Sequence, residues 1–392
     1  MSRSTLRLVL LTSTLVAAPA FAVVVADLHS ATVTVKDQSA DERARGFRVA
    51  LAQVIVRLTG DPAAPNAADL APLLRAPQRM VGEYAYATDP PPEAAVPGAA
   101  MPGAAPPPLL PQTKPPAKSP TIAGAASVAG AAPAVPTRLL LQVRFEALTL
   151  ERALRDLGRA VLGPERPRTL VWLAIDDGPE RDLVGAEDAE AFVAAAASRA
   201  LPLAWPALDD EDRAALAFPD LVALDEAKLV AASRRHPADA TLGGSVWRAA
   251  GRWHGRFLWS YGAETERFEA TAAKLEALAD AAFDRVALAC VARFAVRDAA
   301  LPSVVEVAIE GVTDVVGYAR AFGYLQHLSP VRSVDLLGAE RDVLRLRVTF
   351  RGDLATLERI LALDATLGRS NEAPAAGALR FRLAQPGAPG AP

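Results

Sequence analysis

Apolar and polar positions along this chain fall into three patterned stretches. In the first, Ala31-Thr32-Val33-Thr34-Val35 alternates and is β-branched, which predicts a strand. Ser39-Ala40-Asp41-Glu42 matches a capping box, with Ser39 placed to cap the free amides and Glu42 to reach back. Behind it Ala44, Phe47, Leu51, Val54, Ile55 and Leu58 share one face at helical spacing, and Gly60 is placed to end the helix. A short helix is expected at 67–74. A strand at 79–87 carries Met80, Tyr84 and Tyr86 on one face. Residues 138–146 alternate with Leu139, Leu141, Val143 and Phe145 on one side, and a helix at 150–159 follows. The two strands at 79–87 and 138–146 are expected to pair antiparallel, giving a small α+β layer.

The second stretch opens at 166–178, Arg-Pro-Arg-Thr-Leu-Val-Trp-Leu-Ala-Ile-Asp-Asp-Gly. Its continuous apolar run from Leu170 to Ile175 sits between Pro167 and Asp176-Asp177-Gly178, which reads as a strand buried on both faces. Helical patterning at 187–200, a short strand at 201–205 and a helix at 225–235 come next. A hairpin of 239–247 with 253–261 then precedes a long helix at 270–292. Early strands alternate with helices and later ones form a hairpin, so a mixed sheet with helices on both faces is expected. In the third stretch, strands at 303–310, 331–337, 343–350 and 379–383 alternate with helices at 314–328 and 353–363. That order is βαββαβ, the ferredoxin-like unit.

Composition changes this picture in three places. Residues 89–136 hold 14 of the 32 prolines and no aromatic side chain. Such a segment buries too little surface to offset its ordering entropy, so a disordered hairpin insertion is expected. Residues 1–22 place Arg3 and Arg7 before an apolar stretch and end on Ala20-Phe21-Ala22. This predicts a secretory signal cleaved after Ala22 and a periplasmic, soluble mature chain with no membrane span. The formal net charge is −3, which argues against a nucleic-acid partner. The expected domains are therefore the signal at 1–22, the first module at 23–160, the second at 161–299 and the ferredoxin-like unit at 300–385. Residues 386–392 are expected to be a disordered tail.

Candidate chemistry is sparse. Asp176 and Asp177 end a strand, where α/β sheets place ligand sites, and two carboxylates there suit a metal or acid–base work. The competing reading is a turn made with Gly178. Asp209, Asp210 and Asp212, with Glu211 between and Arg213 behind, could hold a hard cation, but no glycine-punctuated alternation of ligands follows, and the preferred reading is acidic residues at the start of a helix. Cys290 is the only cysteine, in an apolar helical pattern, and reads as core. The four histidines His29, His236, His254 and His327 show no metal spacing. Trp247, Trp253, Phe257, Trp259 and Tyr261 either line a groove or fill a core. Gly243-Gly244 reads as a bulge within a strand. No phosphate loop and no nucleophile elbow occurs, so neither a cofactor nor a catalytic set is expected.

Several segments carry a family resemblance: 33–39 (Val-Thr-Val-Lys-Asp-Gln-Ser), 50–61 (Ala-Leu-Ala-Gln-Val-Ile-Val-Arg-Leu-Thr-Gly-Asp), 166–178, 201–213 and 231–240. Together these resemble the exported bacterial proteins of domain of unknown function 2066. That resemblance implies no reaction and no catalytic residues. More loosely, the middle module looks like α/β domains of periplasmic assembly proteins, a fold-level likeness. The function expected on these grounds is an accessory protein working through contacts with an envelope protein partner. The alternative is a small-ligand or metal-binding protein, or a hydrolase, centred on Asp176 and Asp177.

Overall fold

In the computed structural model the described residues are 27–89, 138–178, 181–297, 302–364, 366–370 and 378–385. The expected signal segment, the insertion from residue 90 onward and the tail lie outside them. The fold is mixed α+β, built on three sheets.

The first unit contains β1 (Ser30–Val35), α1 (Ala40–Thr59), α2 (Ala71–Arg75), β2 (Val81–Asp89), β3 (Arg138–Phe145) and α3 (Ala147–Asp156). Its sheet order is β1-β3-β2, antiparallel throughout. Asp89 pairs with Arg138, so the expected hairpin forms. The face of α1 that buries Phe47, Leu51, Val54, Ile55 and Leu58 covers one side of this sheet. Ser39 Oγ accepts from Glu42 N at 3.3 Å, as the capping box requires. The returning arm differs, because Glu42 reaches the amide of Lys36 at 2.9 Å and not that of Ser39. Gly60 ends the helix at φ 62°, a left-handed conformation that glycine adopts without cost.

The central unit contains β4 (Thr169–Asp176), β5 (Arg181–Val184), α4 (Glu190–Ser198), β6 (Leu203–Ala204), α5 (Asp210–Ala215), α6 (Phe218–Ala223), α7 (Glu226–Ser233), β7 (Ala240–Ala249), β8 (Arg252–Tyr261), β9 (Glu264–Ala272) and α8 (Leu275–Phe294). The sheet runs β5-β4-β7-β8-β9, with β6 alongside the start of β4. Strand β4 is parallel to β7 and β6 and antiparallel to β5, so the sheet is mixed. Leu173 and Phe192 pack with α8 on one face, and Leu170, Trp172 and Ala174 pack under α6 and α7 on the other. That explains the unbroken apolar run of β4. The long helix starts at Leu275, later than its pattern suggested, because residues 264–272 form β9 instead. Only Phe268, Ala270 and Ala272 of β9 pack on the core, alternating with exposed residues, so behind the polar Glu264–Arg267 the strand carries only a short apolar signal. Strand β5 escaped the sequence pattern for the same reason, since it buries Leu183 alone.

The glycines Gly243 and Gly244 do not form a bulge, since β7 keeps unbroken register with both neighbours. They admit close packing: a Cβ on Gly243 would lie 2.8 Å from Leu229, and one on Gly244 2.9 Å from Leu173.

The last unit contains β10 (Ser303–Glu310), α9 (Val315–His327), β11 (Val331–Glu340), β12 (Val343–Phe350), α10 (Leu354–Leu361), β13 (Leu367–Arg369) and β14 (Ala378–Leu383). The sheet order is β11-β12-β10-β14-β13. Through β12 this follows the ferredoxin-like order, but the last strand departs from it. Strand β14 runs parallel to β10, where that unit requires antiparallel, because β13 takes the return direction first and β14 folds back against it. One face of this sheet carries Val307, Leu346, Val348 and Phe381 into the same core as Phe283 and Phe294 of α8.

Candidate functional site

The aspartates that end β4 are turn residues in the structure. Asp176 Oδ1 accepts the amide of Gly178 at 3.0 Å, and Gly178 adopts φ 81°. The other oxygen of Asp176 lies 3.0 Å from Arg181 Nε, and Asp177 lies 3.8 Å from Arg248. The pair thus closes the β4–β5 connection, as an Asx turn does. Among the described residues, no group of three or more His, Cys, Asp and Glu side chains is placed to hold a metal ion.

The acidic run starts α5. Asp209 is its N-cap, accepting from Asp212 N at 2.8 Å, while Asp210 stays exposed in the first turn. Asp212 is fully buried. Its Oδ2 accepts from Leu208 N at 3.0 Å, and its Oδ1 lies 2.7 Å from Arg235 Nη1 and 2.8 Å from His236 Nε2. Arg235 also forks onto Asp209 at 2.7 and 3.0 Å. The Arg235 hydrogen bonds and the Asp212 amide hold the Asp209 carboxyl at about 2. Arg213 pairs with Asp182 at 3.0 Å. This cluster locks α5 to α7 over Trp172, whose ring meets His236 edge-on at 5.6 Å. Within the cluster Asp209 and Asp212 are bonded to Arg235, and Asp212 also to His236 and the Leu208 amide.

Phe257 and Trp259 are core, whereas Trp247 and Trp253 are half-buried. Cys290 is buried, and burial pushes its thiol up to about 12. His29 pairs with Glu151 at 3.0 Å, His254 Nδ1 lies 3.1 Å from Thr271 Oγ1, and His327 Nδ1 lies 2.6 Å from Gly323 O.

A broad concavity lies elsewhere, on the outer face of the last sheet. A trough of about 1360 Å³ is lined by charged residues of both signs from β10, β11, β12 and β14. Strand period places these side chains opposite the buried ones, so Glu306, Ala308, Arg345, Arg347 and Arg380 share the outer face. Glu310 is 7 % exposed at one end of it. Arg382 Nη2 donates to it at 3.1 Å and Ser370 Oγ at 2.9 Å. Arg380 Nε lies 2.7 Å away as an ion pair and not as an aligned hydrogen bond. Burial alone would raise the Glu310 carboxyl, but the Arg382 and Ser370 hydrogen bonds outweigh it and hold it below its usual range. Arg345 makes no ion pair or side-chain hydrogen bond among the described residues. Sequence reading placed Arg345 and Arg347 on one face of their strand, but registering them with Glu306 and Arg380 needs the sheet order.

A family model described as Domain of unknown function (DUF8605) matches residues 22–163. This corrects the resemblance to domain of unknown function 2066, which is a different family. Segments 33–39 and 50–61 lie inside the matched stretch, while 166–178, 201–213 and 231–240 lie beyond it. No curated protein and no solved structure matches the chain. The matched stretch spans the first unit, β1 to α3.

Proposed function

We propose that this is a periplasmic accessory protein that works by contact with another envelope protein, through the open face of its last sheet. The observation that carries this reading is the trough itself, a broad charged surface on regular strands that no helix among the described residues covers. Rigid strands hold side chains in fixed rows, which suits recognition better than a mobile loop does. The export signal read in residues 1–22 supports the compartment. Among the described residues, no helix is long and apolar enough to cross a membrane. The alternative centred on Asp176 and Asp177 has less support, because both carboxylates are taken up by a turn and by arginines.

The test is a photocrosslinking amino acid at position 345, compared with one at the exposed Leu148 on α3, in cells that export the protein. A discrete adduct at 345 and none at 148 is the expected result. Equal labelling, or no adduct at 345, sinks the reading. Amino-terminal sequencing of the recovered protein checks cleavage after Ala22.

A further inference from the structure

The sheet of the first unit has two outer strands, and their free edges differ. Strand pairing fixes which main-chain groups point outward. His29 O accepts the amide of Phe145 at 2.9 Å, and an antiparallel ladder alternates bonded and outward-facing residues. Ser30, Thr32 and Thr34 of β1 therefore turn their amides and carbonyls away from β3. Two arginines of α1 meet that edge: Arg57 Nη1 donates to Ser30 O at 2.7 Å and Arg45 Nη2 to Thr34 O at 3.1 Å. The same alternation carries across β3 to β2. Glu83, Ala85 and Ala87 bond to β3 opposite Arg144, Gln142 and Leu140, so Tyr84, Tyr86 and Thr88 face outward. Among the described residues, no strand lies beyond β2 and no side chain bonds to its outward main chain. Charged side chains are one way in which exposed edges are kept from pairing, and only the β1 edge has them.

We infer that β2 pairs edge to edge, antiparallel, with β2 of a second copy of this chain, across a twofold axis at Ala85. A Tyr-Ala-Tyr sequence reads the same in both directions, which a twofold-related strand requires. In this register Ala85 meets its own copy, and each Tyr84 meets the second copy's Tyr86. Both rings stand on the face that α1 covers. Tyr84 is 48% exposed there, held by the edge of Phe47 at 5.2 Å with Arg43 over its ring at 5.9 Å. On the opposite face each Glu83 stands against the small Ala87, so no like charges meet. Sliding by two residues either way sets one tyrosine against itself and the other against Gly82 or Thr88. Only the register at Ala85 gives every ring an aromatic partner, and such cross-strand pairs are stabilising.

The experiment uses the full chain. Sedimentation velocity over a concentration series is expected to show a reversible monomer–dimer equilibrium. Tyr84→Lys is expected to weaken it about tenfold with unchanged circular dichroism, because both copies lose a ring contact. Ala85→Cys and Ala87→Cys then test the register. Residues opposed in a non-bonded pair lie ~4.5 Å apart at Cα, within disulfide range. Mild oxidation is expected to link the Ala85→Cys variant into a dimer and to leave the Ala87→Cys variant, whose site lies opposite Glu83, unlinked. Cys290 is buried and does not compete. A wild-type chain that stays monomeric at every concentration overturns the inference. So does a dimer that Tyr84→Lys leaves intact, or one that links at 87 as readily as at 85. An Ala85→Cys variant that links in cells to a different protein, and not to itself, assigns the edge to a foreign strand and overturns the second copy.

Discussion

Replacing Arg166 is expected to loosen the joint between the first two units. Its guanidinium is fully buried and has no carboxylate partner among the described residues. It donates instead to main-chain carbonyls: Gly163 at 3.0 Å, Arg199 at 2.7 Å, Ala200 at 3.2 Å, Arg57 at 2.8 Å and Leu162 at 3.4 Å. The Arg57 carbonyl lies in the last turn of α1 and Arg199 is the C-cap of α4, so one cation serves the ends of two helices from different units. Helix ends of this kind leave carbonyls without intrahelical donors and carry partial negative charge, which is where a cation is favoured. Burial pushes the Arg166 pKa down to about 10, so it stays charged at neutral pH. Arg166→Met removes the cation's desolvation cost but strands at least three short-bonded carbonyls. Each charged hydrogen bond is worth about 1.5–3 kcal/mol, and removing one partner of a buried charged group costs about 3–5 kcal/mol in all. For a unit of this size that is a fall in melting temperature of roughly 6–20 °C. Arg166→Lys keeps the charge but has three donors on one nitrogen, and is expected to recover less than half the loss. Urea unfolding followed by tryptophan fluorescence and circular dichroism is the assay, with Leu148→Ala as an exposed control. A loss under about 1 kcal/mol for Arg166→Met would refute the reasoning, since those carbonyls would then have other donors.

Three further outcomes are expected. Burial raises the Asp239 carboxyl from 3.8 to about 6, against the opposing hydrogen bond from the Arg168 amide. The folded state then keeps a proton that the unfolded state has lost, so this group's contribution is full below 3.8 and is lost as pH rises through about 6. Asp239→Asn should flatten the stability profile between those limits and melt no lower than wild type at pH 7; a lower melting temperature there contradicts the sign. Asp209, held at about 2, has its own loss at more acidic pH and does not mask this window. Asp212→Ala, which leaves Leu208 N, Arg235 and His236 without their shared carboxylate, should cost about 3 kcal/mol in urea unfolding, and a change below about 0.5 kcal/mol would show the cluster to be replaceable by water. Because Asp89 pairs with Arg138, exchanging residues 90–137 for Asn-Gly should keep a cooperative transition at an equal or higher melting temperature, whereas aggregation would show that β2 and β3 need the intervening chain.

What the sequence determined by itself was local and periodic. The apolar run of β4 announced burial on both faces, the stripe of α1 announced its packing side, and Cys290 announced core. In each case the residue's own neighbours along the chain carry the information, because strand and helix geometry repeats over a few residues. Tertiary structure alone decided three other things. The direction of β14 depends on β13, a three-residue strand too short to show a period. Gly243 makes room for Leu229 of α7 and Gly244 for Leu173 of β4 and Phe257 of β8, and neither makes a bulge, a distinction that exists only once those elements pack on β7. The candidate surface is the third: Arg345 in β12 and Arg380 in β14 lie far apart in sequence, yet each faces Ala308 in β10, one from either side. Charge on a single strand can be read from its own alternation, but charge across a sheet is a product of strand order and register, which long-range pairing sets.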